Sequence, residues 1–364
     1  MTTETIVKQV LSGIPISPKE AGYIYRHMPT AELMHLAHNI RLKKKGKKYV
    51  SWIIDRNVNI SNVCVSGCKF CSFHCKSDSE STSFTTSIEA YKEKIEELFA
   101  LGGDQLLLQG GLHPNYGLKY YESLFRELKV LFPKVKLHAL GPPEIFYLAQ
   151  KERLTARKFL MRLTEAGLDS LPGAGAEILC DRVRKLVSPH KCTSRQWLHV
   201  MHEAHKLHIP TTATMMFGHL ETPTERLKHL FKIRHLQDRK PEGSMGFVAF
   251  IPWTFQSAHT ELLKEYPNIV KSSADAYLRT IAISRIVLHN IDNIQASWLT
   301  TGTEAARMAL YAGANDLGSI MIEENVVAAS GVSNKLNADE MQQLIKSAGF
   351  EPRLRNQKYD FLDK

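Results

Sequence analysis

Apolar and polar residues follow two different rhythms along this chain. From position 49 onward, short apolar runs alternate with longer stretches in which apolar residues recur every three or four positions. The first pattern predicts buried strands and the second predicts amphipathic helices. Strands are expected at 49–58, 105–109, 136–140, 169–171, 211–217, 246–251, 293–296 and 314–319. Between the first two, Ile88, Tyr91, Ile95, Leu98 and Phe99 share one helical face over 87–101, and Gly102-Gly103 ends the run. The stretches 120–131, 156–166, 194–207, 224–236, 274–288 and 303–311 read the same way. Asn337 caps a last helix, 338–348, closed by Gly349. Residues 1–48 read as helical. There Ser17-Pro-Lys-Glu20 opens one segment, and Pro29-Thr-Ala-Glu32 opens another with Leu33, Leu36 and Ile40 on one face.

Strands and helices that alternate every ~30–40 residues predict parallel strands joined by helical crossovers. Eight such units predict an α/β fold, a closed (β/α)8 TIM-type barrel over 49–330. An N-terminal helical extension (1–48) and a C-terminal helical extension (331–364) flank it. Reactive groups of such a barrel gather at the C-terminal ends of its strands. Polar and glycine-rich residues do follow the expected strands, among them 59–62, Gly110-Gly111-Leu112-His113, Gly141-Pro142-Pro143-Glu144 and Gly173-Ala174-Gly175-Ala176-Glu177.

The length of 364 residues suits one barrel of about 250 residues with additions at both ends. No apolar run approaches the ~20 residues that span a bilayer, and the first residues lack the pattern of a secretory signal, so the expected location is the cytoplasm. The net charge is +10, yet its densest stretch, 41–48, reads as a helix end whose lysines cap carbonyls before Gly46. A nucleic-acid or acidic-surface contact is the other reading of that stretch. Six cysteines are present, four of them between positions 64 and 75, and so tight a cluster points to metal rather than to disulfides.

The cluster contains Cys64-Val-Ser-Gly-Cys68-Lys-Phe-Cys71, in the loop after the first strand. Iron–sulfur cubes take one thiolate per iron, so three cysteines leave one iron open. Adding Cys75 makes a four-cysteine zinc site the competing reading, with a zinc-stabilised nucleic-acid-binding protein as the function it would imply. Zinc ligands usually come as two separated pairs, whereas these crowd one short loop. Cys180 and Cys192 lie in helical or apolar surroundings, where core packing is the default.

The three-cysteine motif resembles that of the radical S-adenosylmethionine (SAM) superfamily. The resemblance implies a [4Fe–4S] cluster on Cys64, Cys68 and Cys71, with SAM chelating the open iron and cleaved to a 5′-deoxyadenosyl radical. It places Phe70 beside the adenine and Gly110 and Gly111 at the methionine amino group. Glu177 suits the SAM ribose hydroxyls, with Arg182 or Arg184 able to pair a carboxylate. A simple turn and a surface Glu–Arg pair are the plainer readings of these two segments. Trp52-Ile-Ile-Asp-Arg-Asn57, together with 106–114, 138–144, 167–184, 211–219, 250–253, 293–298 and 313–327, extends the likeness to the menaquinone-biosynthetic enzymes of the futalosine pathway. Ile251-Pro-Trp253 and Asn293-Ile-Gln-Ala-Ser-Trp298 favour its cyclising branch, though aminofutalosine synthase and the halves of the deazaflavin-precursor synthase share the scaffold. The resemblance implies a small-molecule substrate, dehypoxanthine futalosine, and an external one-electron reductant, with no nucleic acid and no membrane span. Hydrogen would leave ribose C4′, and the carbon radical would close on the benzoate ring. Asp292, His113 and Arg56 are the candidates for catalytic roles, with Ser297 and Glu323 also near strand ends. Trp253 and Trp298 could wall the aromatic substrate or simply pack.

Overall fold

The computed structural model describes residues 2–362. Residues 1, 363 and 364, at the outer ends of the two expected extensions, lie outside the described residues. The strands are β1 (Tyr49–Ile53), β2 (Asp55–Asn59), β3 (Gln105–Gln109), β4 (Lys136–Ala139), β5 (Leu168–Ser170), β6 (Thr211–Phe217), β7 (Phe247–Thr254), β8 (Asn293–Ile294), β9 (Asp316–Ser319) and β10 (Glu351–Leu354). Strands β1 and β2 are the expected first strand, interrupted at Ile54. Every strand ladder is parallel, in the orders β2-β3-β4-β5, β6-β7-β8 and β10-β1-β9. Single bridges at Leu171–Thr211, Gln295–Asp316 and Arg56–Ile322 join these runs into a ring. The result is the closed eight-unit barrel that the alternation predicts.

Period-two alternation decides what faces the lumen. On β3, Leu106 and Leu108 are fully buried under the outer helices, while Gln105, Leu107 and Gln109 line the interior cavity. The helix Ile88–Ala100 buries Tyr91, Ile95 and Leu98 against the strands, as its spacing predicts. Ser17 and Glu20 form a reciprocal cap at the start of Pro18–His27. The lysine-rich stretch ends the helix Thr30–Lys45, and Gly46 follows at φ +73°. Arg41 donates to the Gly46 and Tyr49 carbonyls (3.1 and 2.9 Å), and Lys44 pairs with Asp292 (3.2 Å). Among the described residues no helix is long and apolar enough to cross a membrane.

The short helices Asp181–Val187 and Glu261–Glu265 are not among those expected, and two further elements depart from the expectation near the lumen. The segment after β4 forms the helix Pro142–Lys151, although Gly-Pro-Pro reads as a loop. Proline is favoured in a first helical turn, and Glu144 caps the Gly141 N–H at 3.0 Å. Beyond the C-terminal helix Ala338–Ser347, β10 pairs with β1, and the chain then turns into the lumen. There Arg355 donates to both carboxylate oxygens of Asp316 (2.6 and 2.9 Å) and stacks on Tyr359. Arg355, Gln357 and Tyr359 all line the cavity, so the C-terminal segment closes part of the barrel interior.

Candidate active site

Residues 60–75 leave β2 and fold against the loop that follows β3. The Cys64 N–H donates to the Cys75 carbonyl (2.9 Å) and the Cys75 N–H to the Asn62 carbonyl (2.8 Å), which closes the cysteine loop at its base. The Gly111 N–H reaches the Ser61 carbonyl (2.5 Å), and the Val65 N–H reaches the Leu112 carbonyl (3.1 Å). A Cβ on Gly111 would collide with the Val63 carbonyl, and one on Gly110 with that of Ser61. Only glycines allow the two loops to lie this close. On its other flank the cysteine loop is tied down by Lys69, whose N–H donates to the Val187 carbonyl (2.9 Å) and whose carbonyl accepts from Leu262 (2.8 Å).

Cys64, Cys68 and Cys71 line one cavity of about 360 Å³, which runs from this loop into the barrel lumen. Cys75 is engaged elsewhere: its sulfur accepts from Asn62 Nδ2 (3.3 Å) and lies 3.3 Å from Thr82 Oγ1. The donor set is therefore three thiols on a shared wall. It matches a cube that takes each thiolate on a separate iron better than a zinc ion on which four must converge. Burial pushes the Cys68 thiol up to about 12, and metal coordination is what deprotonates such a thiol. The Ser66 N–H donates to Cys64 Sγ (3.4 Å), the kind of bond that tunes a cluster's potential.

Across the cavity, Lys191 Nζ donates to Glu177 Oε1 (2.9 Å) and sits 5.2 Å over the Phe70 ring. Desolvation opposes the Lys191 charge, but Cys68, Glu177 and Glu144 outweigh it and hold the ammonium well above its ordinary range. Burial likewise disfavours the Glu177 carboxylate, yet Lys191 and Arg184 pull its pKa below the usual value. Glu177 adopts a left-handed backbone (φ +41°), and the Met216 N–H holds its carbonyl at 3.1 Å. Arg184 is buried and donates to the Gly175, Ala176 and Cys192 carbonyls, which fixes the loop that carries Glu177. Deeper in the lumen, His138 Nδ1 lies 2.7 Å from Ser170 Oγ, and burial lowers its pKa to about 3, so the ring is neutral.

The superfamily model named Radical SAM matches residues 58–233, and the CofH/MqnC C-terminal region matches residues 244–364. The chain belongs to the radical SAM superfamily. Cyclic dehypoxanthine futalosine synthase of Streptomyces coelicolor is 39% identical over 99% of this chain and 88% of its own length. The Halalkalibacterium halodurans protein of the same name is 36% identical over 100% and 95%. A 5-amino-6-(D-ribitylamino)uracil–L-tyrosine 4-hydroxyphenyl transferase of Methanosarcina barkeri is 36% identical over 98% and 93%. Among solved structures, methylornithine synthase superposes with a TM-score of 0.68 at 15% identity, covering 96% of this chain and 97% of its own. A maturase of the [FeFe]-hydrogenase reaches 0.74 at 14% identity, covering 98% and 76%. As a radical SAM enzyme, the chain uses a [4Fe–4S] cluster and SAM as cofactors. The three thiols on one wall fit that cluster, and the adjoining cavity has room for a ligand beside it.

Of the residues singled out from sequence, this radical SAM barrel brings Cys64, Cys68, Cys71, Phe70, Gly110, Gly111 and Glu177 to one cavity. Five others stand apart from it. Asp292 precedes β8, at the opposite end of the barrel, where its side chain is 69% exposed and paired with Lys44 and Lys45. Arg56 points away from the lumen and, buried itself, pairs with Glu97 and Glu323 outside the strands. Glu323 is consumed by that same contact and by Lys94. His113 is buried, 2.7 Å from Asp78 Oδ1, with its ring stacked on Tyr116. Arg182 pairs with Glu225 on the surface, while Arg184 takes the interior position. Ser297, Trp253 and Trp298 do line the cavity. Lys191 was not singled out and His138 only as the first residue of the 138–144 segment, without a role; the ring closure brings both to the cavity.

Proposed function

We propose that this chain is a cyclic dehypoxanthine futalosine synthase of menaquinone biosynthesis. The observation that carries the reading is the end-to-end match to two proteins of that name, at 39% and 36% identity. It is supported by the cavity wall, where Ile251, Trp253, Gln295 and Trp298 come from the same C-terminal region that its family model matches.

Cys64, Cys68 and Cys71 hold the cluster in this reading, and the cofactors together supply a deoxyadenosyl radical that abstracts hydrogen. Phe70 flanks the adenine, Gly110 and Gly111 admit the methionine amino group, and Glu177 accepts the SAM ribose hydroxyls. Lys191 keeps Glu177 ionised for that task. Trp253 and Trp298 flank the aromatic ring of the substrate. The Trp298 indole is itself anchored on the Ser319 carbonyl (3.0 Å), which fixes its plane. The substrate would lose a hydrogen atom at ribose C4′ to the deoxyadenosyl radical, close on the benzoate ring, and restore aromaticity by giving one proton to a base or water and one electron to the oxidised cluster. An external one-electron reductant starts turnover, and the location is cytoplasmic. In this reading nucleic acid is not a partner, and Lys43, Lys44 and Lys45 of the lysine-rich stretch bind the Leu11 and His289 carbonyls and Asp292.

The 4-hydroxyphenyl transferases, 36% identical over 98% of the chain in one case, favour a second reading in which a ribityl-bearing uracil is the substrate. Product analysis separates the readings. Anaerobically reconstituted enzyme with SAM and a reductant should convert dehypoxanthine futalosine to a cyclic product with free 5′-deoxyadenosine. An adduct of deoxyadenosine with substrate would instead mark the addition chemistry of an aminofutalosine synthase. Turnover only with ribitylaminouracil and tyrosine would move the chain to the transferases.

A further inference from the structure

One side of the lumen carries polar atoms that the protein leaves without partners. Asp55, Asn57 and Asn59 occupy alternate positions of β2 and so share its inward face, beside Gln105 at the start of β3. Among the described residues, Asp55 Oδ1, Asn57 Oδ1, Asn59 Nδ2 and Gln105 Oε1 are all buried with no hydrogen-bond partner. Most buried polar atoms in folded proteins are paired, because an unpaired one gives up its bond to water and gains nothing in return. Four on one stripe is a concentration that packing does not require, since aliphatic residues would fill a lumen more stably.

Asp55 and Gln105 are the members of the stripe that border the cavity. Their strands are in register, Asp55 opposite Gln105, and Gln105 Nε2 donates to Asp55 Oδ2 at 3.2 Å. That bond uses one of the two amide N–H groups and one carboxylate oxygen. It leaves two acceptors, Asp55 Oδ1 and Gln105 Oε1, side by side. Ser319 Oγ sits at the back of Asp55, accepting from its N–H (3.3 Å). Two adjacent unpaired acceptors match a ligand that offers two hydroxyl groups close together. A carboxylate or phosphate would be repelled there.

We propose that Asp55 and Gln105 form a hydroxyl-recognition site for the five-carbon sugar or sugar-alcohol part of the substrate. The inference rests on the reading of the chain as an enzyme of this branch, and it specifies which residues read the polyol. Burial raises the Asp55 pKa, and hydroxyl donors would stabilise its ionised form. A pentose and a ribityl chain share this chemistry, so the test must separate them.

The experiment is calorimetric titration of cluster-loaded, SAM-bound enzyme without reductant. The probes are dehypoxanthine futalosine and 5-amino-6-(D-ribitylamino)uracil, each alongside an analogue stripped of its secondary hydroxyls. Wild type should bind one hydroxylated probe at least about tenfold more tightly than its stripped analogue. Asp55→Ala and Gln105→Leu should abolish that preference while leaving the stripped analogue and SAM bound as before. SAM affinity reports folding, and if Asp55→Ala loses it, Gln105→Leu decides. Unchanged preference in both folded variants, or equal weakening for both forms of the probe, would overturn the proposal and leave the stripe to ordered water. If the hydroxyl-dependent probe is the ribityl compound, the site stands and the cyclase reading falls.

Discussion

Lys191 and Glu177 form an ion pair in the wall of the cavity, Nζ to Oε1 2.9 Å, with side chains only 14% and 4% exposed. Neither charge has much access to water, so each depends on the other. Replacing one partner of such a pair costs about 3–5 kcal/mol. Glu177→Gln keeps the shape and removes the counter-charge. Thermal unfolding should fall by roughly 5 °C, since an unfolding entropy of about 2.1 cal/mol/K per residue makes each kcal/mol worth roughly 1.3 °C in a chain of this length. SAM affinity, measured by titration, should fall with it, because the same carboxylate is proposed to hold the ribose.

The cysteines divide by where their sulfurs sit. Cys68→Ala removes a thiol from the cavity wall and should abolish iron binding on anaerobic reconstitution. Cys75→Ala removes one whose contacts are Asn62 and Thr82, and should leave iron content and the cluster's electron paramagnetic resonance signal intact. Iron lost from both variants would mean four ligands.

The C-terminal segment is predicted to be structural. Asp316 is fully buried between Arg355 and Ser51 Oγ (2.5 Å), so Arg355→Ala strands its carboxylate. Urea unfolding should show a loss of about 3–5 kcal/mol. A loss within about 0.5 kcal/mol would show that the segment is merely laid against the barrel.

Acid should destabilise the chain well above the range of ordinary carboxylates. His229 is fully buried, and its Nδ1 accepts from the Leu179 N–H (3.0 Å). Burial lowers its pKa from 6.5 to about 3, and the same holds for His205. The unfolded chain binds these protons first, so stability is full above pH ~6.5 and declines as pH falls toward ~3. The slope is at most about 1.4 kcal/mol per pH unit for each histidine. His229→Asn keeps an acceptor for Leu179, so its melting temperature between pH 7 and pH 5 should decline less steeply than that of wild type.

Much of this was legible in the sequence. The alternation of strands and helices places the barrel because each strand is short, apolar and bounded, and because the outer helices bury one face each. The helix Pro142–Lys151 and β10 escaped, the first for its proline opening and the second because Glu-Pro-Arg-Leu has no apolar rhythm. Within the site, motif-borne residues such as Cys64 and Gly110 were readable, since their spacing carries the chemistry. Asp292 and Arg56 were misplaced for a geometric reason. Adjacency to a strand does not say which end or which face a side chain occupies, and period-two alternation turns Arg56 outward while Asp55 faces in. Asp292→Asn should therefore change turnover by no more than about twofold, the span of an exposed substitution.

The central claim is that this radical SAM enzyme removes hydrogen from the sugar of dehypoxanthine futalosine. The most direct measurement is anaerobic turnover with substrate deuterated at ribose C4′, followed by mass analysis of the 5′-deoxyadenosine released. One deuterium carried into deoxyadenosine, with a cyclic product formed alongside, is the predicted result. Deoxyadenosine without the label, or none released in the presence of this substrate, would contradict it.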